Sequence, residues 1–95
     1  MKFSIEKTPT DILLEIAEKH KLLRKRAGYS QRELAERSGV SFGSIKRFEQ
    51  TGLISLESLL QLAAVLDRLY DFEAVFNPPE DLSHIEQLFT KTSRK

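Results

Sequence analysis

Between Lys19 and Arg47 the chain carries nine Lys/Arg against two acids, a local balance of +7. From Phe48 to Thr90 it carries one basic residue against eight acids, a balance of −7. The 95 residues net only +1, so charge is sorted along the chain rather than present in excess. A sorted cationic block can draw a polyanion to one face and leave the acidic remainder for another task. Two solvated faces of opposite sign are the plainer reading, and the overlap of the basic block with a tightly patterned helix pair weighs against it. Bond-making chemistry has less support. The two histidines, His20 and His84, have no nucleophile or base at a workable spacing, and His20 lies on an apolar helical face where a packed imidazole is the simplest account. There is no cysteine, which removes disulfides and thiolate metal sites. No glycine-rich phosphate loop or metal-ligand cluster occurs. Neither an enzyme nor a cofactor is expected, and the chemistry left is ionic and hydrogen-bonding recognition.

The elements that must position the cationic block are legible between Tyr29 and Gln50, YSQRELAERSGVSFGSIKRFEQ. Ser30 and Glu33 form an S-x-x-E capping box, with Tyr29 and Leu34 spaced as a hydrophobic staple. That helix runs to Ser38 and exits at Gly39, where a left-handed residue is needed. Only Val40 separates the glycine from the next cap, Ser41, and Val40 and Ile45 repeat the staple spacing. The second helix ends near Thr51-Gly52. Leu34, Ala35, Val40, Ile45 and Phe48 fall where two crossed helices would bury them, with Ala35 small at the closest approach.

This ordered set, Ser30-Gln31, Leu34-Ala35, Gly39-Val40-Ser41, Ile45 and Phe48-Glu49, resembles the helix-turn-helix of the phage-repressor type, the Cro/C1 or XRE-like family, and the likeness extends from about Leu22 to Leu66. The resemblance implies an all-α fold: a compact, lambda-repressor-like bundle of about five helices whose second motif helix enters the major groove of double-stranded DNA. It places Phe42, Gly43, Ser44 and Arg47 at base edges. Arg47 is the best base reader, because arginine can grip guanine bidentately, and a phosphate contact is its other role. Phe42 replaces a position that is often polar in the family; it either lies against a thymine methyl or folds back into the core. The resemblance also puts Gln31 at a phosphate contact that braces the reading helix. Arg32, Ser41, Lys46 and Gln50 complete the DNA-facing set, with the free amides at the start of the first motif helix as further donors. Lys25 and Arg26 depend on the roll of the preceding helix. Arg24 and Glu49 occupy positions that pair as a structural ion pair in the family. The short, uncharged Gln50-Thr51-Gly52-Leu53-Ile54 departs from the longer basic loop of many members and bears on binding strength rather than on fold.

The remaining chain divides into an arm at 1–7, a helix-turn-helix domain at 8–76 and an extension at 77–95. Phe3 and Ile5 alternate with polar residues, which reads as a short strand or a frayed arm. Thr8-Pro9-Thr10-Asp11 opens a helix with Ile12, Ile16, His20, Leu23 and Ala27 on one face, Leu13 beside it and Gly28 at its end. Ser55 caps a fourth helix with Ile54 and Leu59 as staple, in which Leu56, Leu59, Leu60, Ala63 and Leu66 form a core face and Leu62 and Val65 lie to one side. Asp67-Arg68 breaks it, and a short helical piece carries Leu69, Tyr70, Phe72, Val75 and Phe76 before Asn77-Pro78-Pro79. One small core cannot absorb all of these. Leu62, Val65, Leu69, Tyr70, Phe72, Val75 and Phe76 are therefore read as a homodimer interface, with a core covered by the tail as the competing account. Leu82, Ile85, Leu88 and Phe89 have helical spacing, and Lys91–Lys95 is a basic end.

The leading expectation is a homodimeric, sequence-specific repressor of a near-palindromic operator. An antitoxin that also grips a toxin through its acidic half is one alternative, since the stretch through Asn77-Pro78-Pro79 loosely resembles such members. A protein-binding module without DNA contact is another. With no signal-peptide core and no apolar run of membrane-spanning length, a cytoplasmic location is expected.

Overall fold

Every stretch of regular structure in the computed structural model, which describes residues 6–79, is helical: α1 at Pro9–Arg26, α2 at Gln31–Ser38, α3 at Phe42–Thr51, α4 at Leu56–Val65 and a short 3-10 turn at Leu69–Phe72. The fifth helical piece is thus a single tight turn. The Phe3–Ile5 strand pattern, the helical spacing at 81–89 and the basic end fall outside the described residues.

Hydroxyl caps start all four helices. The Thr8 and Ser30 hydroxyls accept from the Asp11 and Glu33 amides at 3.1 and 3.0 Å, and both carboxylates reach back to the cap amide. Ser41 and Ser55 cap α3 and α4 through the amides of Ser44 and Ser58. Each such cap contributes about 1 kcal/mol. Two exits require glycine for different reasons. Gly39 (φ +80°) turns α2 into α3 with open space around it. Gly52 (φ +83°) ends α3 against α1, where an added Cβ would stand 2.9 Å from the backbone and Cβ of Leu13.

The core gathers one or two residues from each of the four α-helices and Val40 from the turn between α2 and α3: Ala17, Leu34, Val40, Ile45, Phe48 and Leu62, with Ile16, Tyr29, Ala35, Ile54, Leu59, Val65 and Leu66 packed around them. Phe48, Leu34, Ile45 and Leu62 are fully enclosed, each contributing roughly 1.5–3 kcal/mol of burial.

Two faces differ from the expectation. On α1 the inward line is Ala17, His20 and Arg24, while Ile12 and Ala27 are exposed and Ile16 and Leu23 sit at the margin. The helix is rolled so that the Arg24 guanidinium reaches Glu49 inside the domain, and an apolar count cannot anticipate a charged residue pointing inward. On α4 the buried residues are Leu62 and Ala63, and Leu56 is largely exposed. Leu62, assigned to the dimer surface by sequence, is wholly enclosed in the core because α4 packs across α2 on that line. Val65, from the same set, is half-buried and packs on the core edge. After α4 the chain reverses at Asp67 (φ +61°), a conformation aspartate tolerates better than most residues.

Candidate nucleic-acid interface

Helix α3 shows two contrasting sides. Ile45 and Phe48 face the core, while Gly43, Ser44, Lys46, Arg47 and Gln50 are exposed. The 3.6-residue period thus puts two cations, a hydroxyl and a bare backbone position on one outward ridge. Ser41 caps the ridge, and its hydroxyl also lies 2.8 Å from the Ser44 hydroxyl. Nothing lies within 4 Å of the place where a Gly43 Cβ would stand, so the backbone there is open to a close approach.

Phe42 stands outside the core rather than folding back into it. It is half-buried and covered by cations: the Arg32 guanidinium stacks 4.1 Å from the ring centroid, and Lys46 Nζ lies 5.9 Å away. Such stacking fixes both partners by about 0.5–1 kcal/mol at an exposed site. The ring therefore ties the start of α2 to the start of α3 and gathers their cations into one cluster. An isolated aromatic in a sequence carries no signal for this; the arrangement depends on α2 and α3 crossing with their N-termini close.

What holds the ridge in place is a carboxylate. Glu49 faces away from the ridge, its side chain 3% exposed, and accepts from Arg24 Nε at 2.8 Å and Arg24 Nη2 at 2.9 Å. Gln31 Nε2 donates to the same carboxylate at 2.9 Å, and Arg24 Nη1 donates to the Tyr29 carbonyl at 2.8 Å. Arg24, Gln31 and Glu49 thus join α1, α2 and α3 at one point. Gln31 braces α3 through its side chain while its backbone opens the N-terminus of α2, whose first amides have no acceptor within the helix. Burial works against a charge on Glu49, but the bonds from Arg24 and Gln31 prevail and hold its carboxyl below the ordinary value. His20 completes the cluster. Its ring stands edge-on to Phe48 at 5.1 Å, with Nδ1 2.9 Å from Glu49 Oε2 but without the alignment of a hydrogen bond. Burial lowers the His20 pKa below its ordinary value, with Glu49 pulling it up and Arg24 pushing it further down.

Of the nine cations in the basic block, Arg24 is therefore consumed inside the fold. Arg37 lies over the Tyr29 ring at 4.8 Å. Lys25 and Arg26 are exposed at the end of α1. A depression of about 250 Å³ brings Ser44 and Arg47 together with Leu53, Ile54, Ser55 and Ser58. The sequence marks Ser55 only as a cap, and its place beside Arg47 comes from the sharp turn at Gly52. Thr51 braces that turn, its hydroxyl donating to the Arg47 carbonyl and accepting from the Leu53 amide. Of the residues assigned to a dimer face, Leu69, Tyr70, Val75 and Phe76 are exposed, Phe72 is half-buried and Leu62 belongs to the core.

Among the described residues no helix is long and apolar enough to cross a membrane. Comparison with curated proteins and with solved structures yields no match. A family model described as helix-turn-helix matches residues 21–71, more than half of the chain and the span from late α1 into the 3-10 turn. With the exposed α3 ridge and its buried anchor, this match makes the chain a member of the Cro/C1-type, XRE-like helix-turn-helix family of DNA-binding transcriptional regulators.

Proposed function

We propose that the protein is a homodimeric, non-catalytic repressor that reads a near-palindromic operator in the cytoplasm. The observation that carries this reading is the outward ridge of α3, Gly43, Ser44, Lys46 and Arg47, held by the buried Arg24–Glu49–Gln31 junction. Arg47 is the base reader, with Ser44 as a weaker one. Lys46, Gln50, Ser41, Arg32 and the α2 N-terminus hold phosphates. Phe42 presents its uncovered edge to a thymine methyl, pinned there by Arg32. Ser55 and Ser58, beside Arg47, add phosphate donors where the longer basic loop of other members is missing. A single domain makes few contacts, so two copies must present their α3 helices roughly 34 Å apart. The exposed Leu69, Tyr70, Val75 and Phe76 supply the surface for this, Phe76 being 98% exposed.

Selecting bound sites from random duplexes gives the operator. On that site Arg47→Ala is expected to lose base preference worth ~1–3 kcal/mol, whereas Lys46→Ala weakens all sequences alike. Affinity should fall steeply as salt rises. An Arg47→Ala protein with unchanged sequence preference sinks the base-reading assignment. The antitoxin reading keeps the same DNA face and turns the exposed 69–76 surface, with its neighbouring Asp71 and Glu73, toward a toxin instead of a second copy. Sedimentation of the protein alone separates the two: a monomer at micromolar concentration favours the hetero-partner.

A further inference from the structure

A cavity of about 310 Å³ lies between α1, α4 and the 3-10 turn, away from the α3 ridge. Its walls are apolar, with Leu59, Leu66, Phe72 and Val75 among them, and its size falls at the lower end of small-molecule pockets. Four polar residues reach it: Lys19, His20, Arg68 and Asp71. Their pairing is incomplete in one direction. Arg68 Nη2 meets Asp71 at 3.0 Å, but the buried Nε of Arg68 has no partner, and His20, only 6% exposed, turns Nδ1 to Glu49 at 2.9 Å and leaves Nε2 without one. Buried nitrogens without partners are uncommon and costly, and the Arg68 Nε–H is a donor beside a space large enough to hold a molecule that would accept from it. Lys19 and Arg68 against Asp71 leave the rim with one net positive charge.

We propose that this cavity binds a small amphipathic carboxylate, its apolar body among Leu59, Leu66, Phe72 and Val75 and its anionic head at Arg68 Nε and Lys19. The apolar walls exclude a purely ionic ligand such as phosphate, and the unpartnered nitrogens disfavour a plain hydrocarbon, which would leave them unsatisfied. His20 is shared by the cavity wall and by the Glu49 anchor of α3, so the site adjoins the junction that holds the ridge without overlapping the ridge itself.

The test is an amide NMR titration of the full chain with octanoate, and with octanol as a neutral probe of matched length, in the absence of DNA. Octanoate should give saturable shifts centred on Ile16, Ala63 and Phe72, with octanol roughly 10-fold or more weaker, as the loss of a charge-assisted hydrogen bond implies. Arg68→Met should weaken octanoate by a similar factor and leave octanol unchanged. Ala63→Leu, which fills the cavity, should remove binding of both; should that variant fail to fold, Arg68→Met decides alone. No saturable shift at millimolar octanoate, equal binding of the two probes, retention of binding in a folded Ala63→Leu protein, or shifts confined to the exposed Leu69, Tyr70 and Phe76 would each overturn the assignment.

Discussion

Removing Glu49 should nearly unfold the domain, and removing its partner as well should restore much of what was lost. The carboxylate is 3% exposed and Arg24 8% exposed, so neither charge has water to fall back on. In Glu49→Ala the guanidinium keeps only the Tyr29 carbonyl, and in Arg24→Ala the carboxylate keeps only Gln31 and the unaligned His20. Truncating one side of a buried pair costs about 3–5 kcal/mol. The whole stability of a domain this small lies near the lower end of about 5–15 kcal/mol, so either variant consumes most of it. The double variant Arg24→Met/Glu49→Leu removes both charges together and fills similar volume. Its remaining cost is the Gln31 amide left without its acceptor and the Tyr29 carbonyl left without its donor, about 1–3 kcal/mol for each that water does not reach. The assay is urea unfolding followed by far-UV circular dichroism, comparing midpoints at a common slope. Single-variant losses below about 1 kcal/mol, the behaviour of an exposed ion pair, would refute the junction's role. So would a double variant whose loss equals the sum of the singles.

Three further outcomes follow from the geometry. Gly39→Ala and Gly52→Ala share nearly the same φ, yet only Gly52 meets a neighbour: the left-handed strain of ~1–2 kcal/mol applies to both, and crowding against Leu13 adds about 1–3 kcal/mol at Gly52 alone, so equal melting losses would contradict the packing of α3 on α1. Gly43→Ala should raise stability by up to ~1 kcal/mol, since its Cβ meets nothing, while weakening operator binding in a fluorescence anisotropy titration; unchanged affinity would mean that the duplex does not approach that backbone. Stability should fall in two stages on acidification: the unfolded chain protonates His20 below about pH 6.5 while burial keeps the folded imidazole neutral, and below about pH 4.5 it protonates Glu49 while the folded carboxyl stays charged, so in both windows the unfolded state binds more protons. His20→Gln should remove the upper stage, and a wild-type profile flat from pH 7 to 5.5 would refute this.

Local signals carried a large part of the architecture. The hydroxyl caps at Thr8, Ser30, Ser41 and Ser55 and the exits at Gly39 and Gly52 act within a few residues of chain, and each is where spacing puts it. The motif core of Leu34, Val40, Ile45 and Phe48 follows from the same short-range periodicity. The outward position of Ser44, Lys46 and Arg47 then follows from helical period alone. What required the folded chain is everything set by how one helix rolls on another. Sequence periodicity scores apolar residues, so it could not bring Arg24 inward beside Ala17 and His20, or choose Leu62 over Leu56 on α4. The stack of Arg32 on Phe42, the meeting of His20 with Glu49, and the cavity with its unpartnered nitrogens join residues 10 to more than 50 positions apart. Local spacing determined where helices begin and end because caps and turns are satisfied by near neighbours. Tertiary packing alone decided which charges are buried, because a buried charge is tolerated only where a distant partner arrives to meet it.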